Sequence, residues 1–460
     1  MTVESGISDW LRYPEAESFV QDLWAGFLTQ APPVQELGDQ VVLHTSTRLG
    51  DWLDHLVLAD GNGLRAQLAE LGFELEDVEV EPGDTAYGHP GALFPRLLLR
   101  SGTGHTPGKA LAAAISVGDV TEFLLSQRVP APVEGSPQGP YRRTRVWQGD
   151  GWDFQAVERR WVRGFVPIEA GPDLAQAYLV AYERWATRER EFDDMRQGME
   201  RTLALAQELV GEYGKDMAAW AAFEAEQIFW LQRNWAGQAQ RARQDRFGLG
   251  WANRDHMAFR SSREVFHLLI AILETFGFRA RERFYAGSEA GWGAQVMEHQ
   301  ACWFGVFADV DLAPDEIEAD FGHIQLETRD ELGTIGLWCG LHGESMLSSG
   351  THHLACRLDF DAAVADLSPL GVEMMHPFSD FEYLRQAFTR GERWNVDQER
   401  LDKLVAAGLI DDAQRARFAE KGAVGSHLEN IQRGEGFKGF NQQTVSDIIR
   451  RTDPRAQAAE

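Results

Sequence analysis

Cysteine is nearly absent. Cys302, Cys339 and Cys356 are the three in 460 residues, too few and too irregularly spaced for a disulfide framework or a Cys-x-x-Cys zinc site. They read as small hydrophobes of a reducing compartment. Positive charge is also scarce: 44 Lys and Arg stand against 71 Asp and Glu, and the formal charge of -27 repels phosphate backbones and anionic membranes. Neither nucleic acid nor a membrane is expected as a partner. No apolar run reaches the roughly 18 residues that span a bilayer, and the start, MTVESGISDW, has no basic-then-apolar leader pattern, so a cytoplasmic protein is expected. Missing too are a Gly-x-Ser-x-Gly elbow, a Gly-x4-Gly-Lys-Ser/Thr phosphate loop and a His-Glu-x-x-His helix, which removes the signatures of hydrolases, nucleotide-dependent enzymes and zincins. What is present is ordinary globular material, 44% hydrophobic and 25% charged, which excludes wholesale disorder.

The stretch VPAPVEGSPQGPYRR, residues 129–143, carries four prolines and two glycines and reads as a linker closing an N-terminal module over 1–128. The linker region is taken to 171. From 172 to 246 the composition turns to Ala, Glu, Gln, Arg and Trp with apolar residues at helical intervals, predicting a connector of one or two long helices with Gly198, Gly211 and Gly214 as breaks. Residues 247–460 return to short β-like runs mixed with helices, as in CWFGVFADVDL. The fold class expected is α+β.

Three stretches share one plan. DHMAFRSSREVFHLLIAILETFGF begins around His256, HHLACRLDFDAAVADLSPLGVEMM around His353, and a weaker copy, DHLVLADGNGLRAQLAELGFELEDVEV, around His55. The first two start a strand with His-x-Ala-x-Arg and run into an amphipathic helix that ends at glycine. The third has Ala59 in place of the arginine. Alternate side chains of a strand share a face, so His256, Ala258 and Arg260 point one way, as do His353, Ala355 and Arg357. A lone histidine of this kind usually does no more than hydrogen-bond, but imidazoles delivered from two equivalent strands can meet at one metal ion. If that ion is ferrous iron, an anionic third ligand leaves sites open for substrate and oxygen. In SHLENIQRG, Glu429 is the local candidate, with His427 on the same strand face.

With these passages in view, the region from about 250 to 451 resembles the 2-oxoadipate dioxygenase/decarboxylase (2-hydroxyglutarate synthase) family of the vicinal oxygen chelate superfamily. NRDHMAFRSSREVFHLLIAILETFGF looks like its first ligand strand and helix, THHLACRLDFDAAV like its second ligand motif, and LENIQRG like its glutamate motif. The resemblance implies a curved sheet built from repeated β-α modules, and Fe(II) held by His256, His353 (rather than His352) and Glu429. Glu382, in FSDFEYLRQAF, is kept as the alternative third ligand. Arg260 would hold a substrate carboxylate, with Arg357 as a second clamp. The implied reaction takes a 2-oxo acid and O2, decarboxylates the acid oxidatively and hydroxylates the product to a 2-hydroxy acid. Two other functions fit the residues: an extradiol dioxygenase or isomerase on the same ligands, and a metal-free binding protein for a small acid.

His342, Glu344, Ser348 and Ser349 read either as pocket lining or as a Gly-rich turn. The tryptophans of WAAFEAEQIFWLQRNW (Trp220, Trp230, Trp235) read as an interdomain or dimer surface, which leaves room for a homodimer.

Overall fold

The computed structural model describes residues 10–441 and 452–455. Two helices, α1 (Pro14–Gln30) and α2 (Pro32–Thr45), lead into four βαβββ modules. The first comprises β1 (Leu53–Ala59), α3 (Leu64–Glu70), β2 (Glu74–Glu76), β3 (Asp84–Gly88) and β4 (Arg96–Arg100). The second comprises β5 (Ala110–Ser116), α4 (Val120–Gln127), β6 (Val133–Glu134), β7 (Tyr141–Gly149) and β8 (Trp152–Arg159). Then come α5 (Pro172–Ala186), α6 (Met195–Tyr213), α7 (Lys215–Leu231) and α8 (Trp235–Asp245). The third module is β9 (Arg254–Arg260), α9 (Phe266–Thr275), β10 (Arg279–Tyr285), β11 (Trp292–His299) and β12 (Phe304–Asp311). After α10 (Thr334–His342), the fourth runs β13 (His353–Cys356), α11 (Phe360–Leu367), β14 (Ser379–Phe381) and β15 (Leu384–Phe388). An insertion of β16 (Glu392–Trp394), α12 (Gln398–Ala406) and α13 (Asp412–Lys421) precedes its last strand, β17 (Ala423–Arg433).

Modules pair by their first strands. The first sheet has the order β2-β3-β4-β1-β5-β8-β7-β6 and the second β10-β11-β12-β9-β13-β17-β15-β14, with β16 on β17. In each, the two central strands run antiparallel while each first strand lies parallel to the last of its own module. This is the α+β architecture of curled sheets and repeated modules expected from the sequence. The alternation along β9 shows how side chains choose their layer. Met257 and Phe259 join the core beneath α7 and α9, whereas Ala258 faces a separate cluster with Phe284, Trp292, Phe307, Ala355, Phe388 and Ile431. One cluster drawing on β9 to β13, β15 and β17 requires the sheet to curl around it.

Two expectations are corrected. Residues 129–171 are no linker, because β6, β7 and β8 complete the first sheet there. The prolines sit around β6, an edge strand, where no ladder hydrogen bond is lost, and Gly135 (φ 92°) makes the turn so tight that a Cβ would stand 2.6 Å from the Tyr141 carbonyl oxygen. The connector is four helices rather than one or two. Gly198 and Gly211 lie inside α6, and only Gly214 (φ 79°) is a break; the other boundaries are set by Asp194 and Asn234, whose side chains cap α6 and α8. In α7 five alanines, 218, 219, 221, 222 and 225, are buried, and their small side chains let that helix pack against α5, α6 and the second sheet.

Candidate metal centre

The first-strand pairing of the second half places the candidate ligands. His256 lies opposite Ala355, which lies opposite Glu429, and His353 lies opposite Ala258 on one side and His427 on the other. All of these side chains point to the concave face, so three donors from three adjacent strands converge. Among the described residues the structure brings together His256, His353 and Glu429. Glu429 Oε2 stands 3.0 Å from His353 Nε2 and 3.2 Å from His256 Nε2, and the two Nε2 atoms are 3.4 Å apart. Donors bound at about 2.1 Å to one ion are separated by about 3.0 Å across a right angle and about 3.4 Å across a tetrahedral one. The spacing therefore fits a single ion, and two imidazoles with one carboxylate fit ferrous iron.

Electrostatics agree with the donor set. Burial alone would raise the Glu429 carboxyl, but His256 and the hydrogen bonds from both imidazoles hold it well below the usual range. Burial lowers His353, only partly offset by Glu429, so this ring is neutral. Against the pull of burial, Glu429 and Asp255 raise His256 to about 9. A protein without metal thus keeps one proton where an ion would supply the compensating charge.

Further contacts fix each ligand. Gln386 Nε2 donates to Glu429 Oε1 at 2.8 Å, leaving Oε2 to face the histidines. His427, the neighbour on the strand face, turns its Nδ1 to the Thr389 carbonyl at 2.8 Å instead of orienting Glu429. His352 stands at 3.1 Å, Nδ1 to Nδ1, from His353, so it supports the ligand histidine. His256 Nδ1 is 3.0 Å from Asp255 Oδ1, and Arg433 grips Asp255 with two hydrogen bonds, Nε to Oδ2 (2.9 Å) and Nη2 to Oδ1 (3.0 Å).

Arg260 continues the face past Ala258 and is buried. Its Nε has no hydrogen-bond partner, and its ion pair with Asp309 is a loose 3.9 Å. Burial raises Asp309 to about 7 despite that arginine. Arg357 lies elsewhere. Because β9 and β13 are antiparallel, Arg260 and Arg357 sit at opposite ends of the pair, whose positions 254 to 260 span about 20 Å. The two arginines therefore cannot clamp one small diacid together. Arg357 is half-buried near Asp255 (3.7 Å) in a cavity of 1270 Å³ between the halves, a cavity that touches the cluster at His256. Glu382 is exposed in the turn between β14 and β15 and is no part of the cluster. Glu344 and His342 are buried in structural roles: Glu344 accepts from the Ser262 amide, and His342 Nε2 lies 3.2 Å from the Val424 carbonyl. All three cysteines are buried and unpaired.

Sequence reasoning missed Asp255, Arg433 and Gln386, and a fourth copy of the module, β5 to β8. Signals for the first two were present. Asp-His opens both DHLVLA and DHMAFR, and FQAVER (Gln155, Arg159) matches LENIQR (Glu429, Arg433) in the spacing of an amide or acid, a β-branched residue and an arginine. The fourth copy carries no histidine in its first strand, ALAAAIS, and gave nothing to notice.

No family model matches the chain, and no curated protein does. Among solved structures, a triple mutant of 4-hydroxymandelate synthase from Streptomyces coelicolor is similar at 12% identity, covering 89% of this chain and 98% of that one, with a TM-score of 0.27. A methylmalonyl-CoA epimerase from Mycobacterium tuberculosis is similar at 13% identity over 40% of this chain and 89% of its own, TM-score 0.24. A fusion of a xylose isomerase-like TIM barrel with a 4-hydroxyphenylpyruvate dioxygenase is similar at 14% identity over 90% of this chain and 53% of its own, TM-score 0.23.

Proposed function

We propose that the protein is an Fe(II)-dependent dioxygenase that converts a short 2-oxo dicarboxylic acid and O2 into CO2 and a 2-hydroxy acid one carbon shorter. Both oxygen atoms are used, one in the new carboxylate and one in the new hydroxyl, so no external reductant is needed. The observation that carries this reading is the juxtaposition, on one buried concave face, of a two-histidine, one-carboxylate cluster and a guanidinium without a close ion pair. Iron held by His256, His353 and Glu429 would bind the 2-oxo acid head and supply the electrons that activate O2. Arg260 would receive the distal carboxylate. Its Cα lies about 13 Å along β9 from that of His256, and His353, opposite Ala258, stands between them along the sheet. Ala258 and Ala355 are the small residues of that face, packed among Phe307, Phe388 and Trp338. The planar guanidinium offers two parallel donors to a carboxylate and none to a neutral chain end, which sets the preference for diacids. His352 and His427, both held neutral by burial, add no competing charge beside Arg260. The same concave wall, lined by Phe307, Phe388 and Trp338, excludes water from the reacting end.

The test is anaerobic reconstitution with Fe(II), followed by oxygen-electrode screening of 2-oxo acids and catechols with mass spectrometry of the products. Oxygen uptake with a 2-oxo diacid, with one CO2 released per O2, is the expected result. Uptake with catechols alone would assign ring cleavage, and a protein that takes up no metal would be a binding protein.

A further inference from the structure

The ligand His256 is served by a constellation that recurs where there is no ligand set. In β9 the pairing with β13 jumps from His256 opposite Ala355 to Arg254 opposite Cys356, so Asp255 is the extra residue of a bulge. The bulge turns its carboxylate toward the concave side, against His256 Nδ1. In β1 the pairing with β5 jumps likewise from His55 opposite Ala114 to Leu53 opposite Ile115, and Asp54 is the extra residue. Asp54 Oδ1 lies 2.7 Å from His55 Nδ1, and Arg159 holds Asp54 through Nε (2.7 Å) and Nη2 (2.9 Å). Each arginine also donates Nη1 to two carbonyls of the segment that follows it: Arg433 to Phe437 and Gly439, Arg159 to Val162 and Gly164. Each segment then lays a phenylalanine edge-on to the histidine, Phe440 at 5.2 Å from His256 and Phe165 at 5.0 Å from His55.

The ligands themselves are not repeated. By register, His353 corresponds to Ala112 and Glu429 to Gln155. The Arg-Asp-His unit is therefore a piece of folding architecture that recurs in the first half without the other two ligand residues.

Resting on the metal-centre reading above, we propose that in the second half this unit has a second task, with Asp255, clamped by Arg433, acting as a positioning residue for His256. A carboxylate can only accept, so His256 must carry a proton on Nδ1, and Nε2, which faces His353 and Glu429, is the nitrogen left to offer a lone pair to an ion. The grip of Arg433 fixes the carboxylate, and the carboxylate fixes the ring plane. His353 has no such anion; its Nδ1 meets the neutral His352. The two imidazoles are thus unequal donors, with His256 the better oriented.

The duplication supplies its own control. Asp255→Asn and Asp54→Asn remove the same charge from the same buried setting, so a purely structural role predicts the same consequence for both. Cobalt(II), stable in air, is the probe, read by titration calorimetry and by its visible d–d absorption. Asp255→Asn is expected to weaken Co(II) binding roughly tenfold to a hundredfold and to alter the absorption bands. Asp54→Asn is expected to leave both unchanged, and Asp255→Glu to restore part of the affinity. Arg433→Lys keeps the Asp255 charge but loosens its hold, and is read the same way should Asp255→Asn fail to fold. Unchanged affinity and spectrum in Asp255→Asn or in Arg433→Lys, or equal losses in Asp54→Asn, would overturn the assignment. A wild-type protein that binds no Co(II) would instead defeat the metal-centre reading.

Discussion

The two halves share a module order, a bulge and an Arg-Asp-His-Phe constellation, yet among the described residues only the second gathers donors for an ion. The difference is confined to a few positions in matching register. Where the second half has His353 and Glu429, the first has Ala112 and Gln155, and where Arg260 continues the strand face the first has Ala59. The concave side of the first sheet is filled as well, with Phe165 packed among Val57, Ala86, Leu98 and Ala112, and Tyr141 against Ala114 and Val157. The comparison separates what the fold needs from what chemistry needs. Both halves keep the buried ion pair behind the histidine, and only one keeps the further metal-ligating side chains beside it.

The sharpest break in the comparison is removal of ligands. His353→Ala and Glu429→Gln are each expected to abolish metal binding, whereas His55→Ala should leave one metal per chain, all read by metal analysis after anaerobic reconstitution. The converse builds the missing ligands. Ala112→His with Gln155→Glu places an imidazole and a carboxylate at the register positions that face His55, and Co(II) titration should show stoichiometry rising from one to two. A stoichiometry that stays at one would mean that Phe165 and its neighbours, rather than the lost ligands, close the first site.

Next in size is the structural ion pair of the first half. Burial opposes the charge on Asp54, but Arg159 and His55 hold its carboxyl below the usual range. A depressed folded pKa gives stability that is present above the unfolded value, near 4, and is lost as pH falls below it. Asp54→Asn should therefore cost about 3 to 5 kcal/mol in urea unfolding at pH 7, since Arg159 is left buried and unpaired, with the penalty shrinking below about pH 4.

Arg260→Lys should retain metal while losing about 1.5 to 3 kcal/mol of transition-state binding, roughly tenfold to a hundredfold in kcat/KM for a 2-oxo diacid. Unchanged kinetics would remove Arg260 from the substrate site. The last effect is on protons. With His256 raised to about 9, Glu429 anionic and His353 neutral, metal entry displaces one proton near neutral pH. Affinity should then fall about tenfold per pH unit below 9, and calorimetry in buffers of different ionisation enthalpy should report one proton released. A release of two would mean that His353 is protonated as well.

Much of this site was legible because strand alternation is a rigid rule. His256, Ala258 and Arg260 share a face whatever the tertiary context, and the repeat of His-x-Ala-x-Arg points to a partner strand. The paired use of Arg260 and Arg357 was not legible, because alternation gives the face but not the direction in which neighbouring strands run. Antiparallel pairing sends those arginines apart. Gln386 was hidden for a related reason. It reaches Glu429 across β15 and β17, a pairing separated by the insertion of β16, α12 and α13, which no local pattern announces. The proline-rich stretch at 129–143 misled because proline and glycine mark an edge strand and its turns as readily as a linker.

The account is tested most directly by anomalous diffraction at the iron edge from crystals grown anaerobically with Fe(II). It predicts one peak per chain, within bonding distance of His256 Nε2, His353 Nε2 and Glu429 Oε2, and none beside His55. A peak at His55, or none at the cluster in crystals whose protein carries iron in solution, would contradict it.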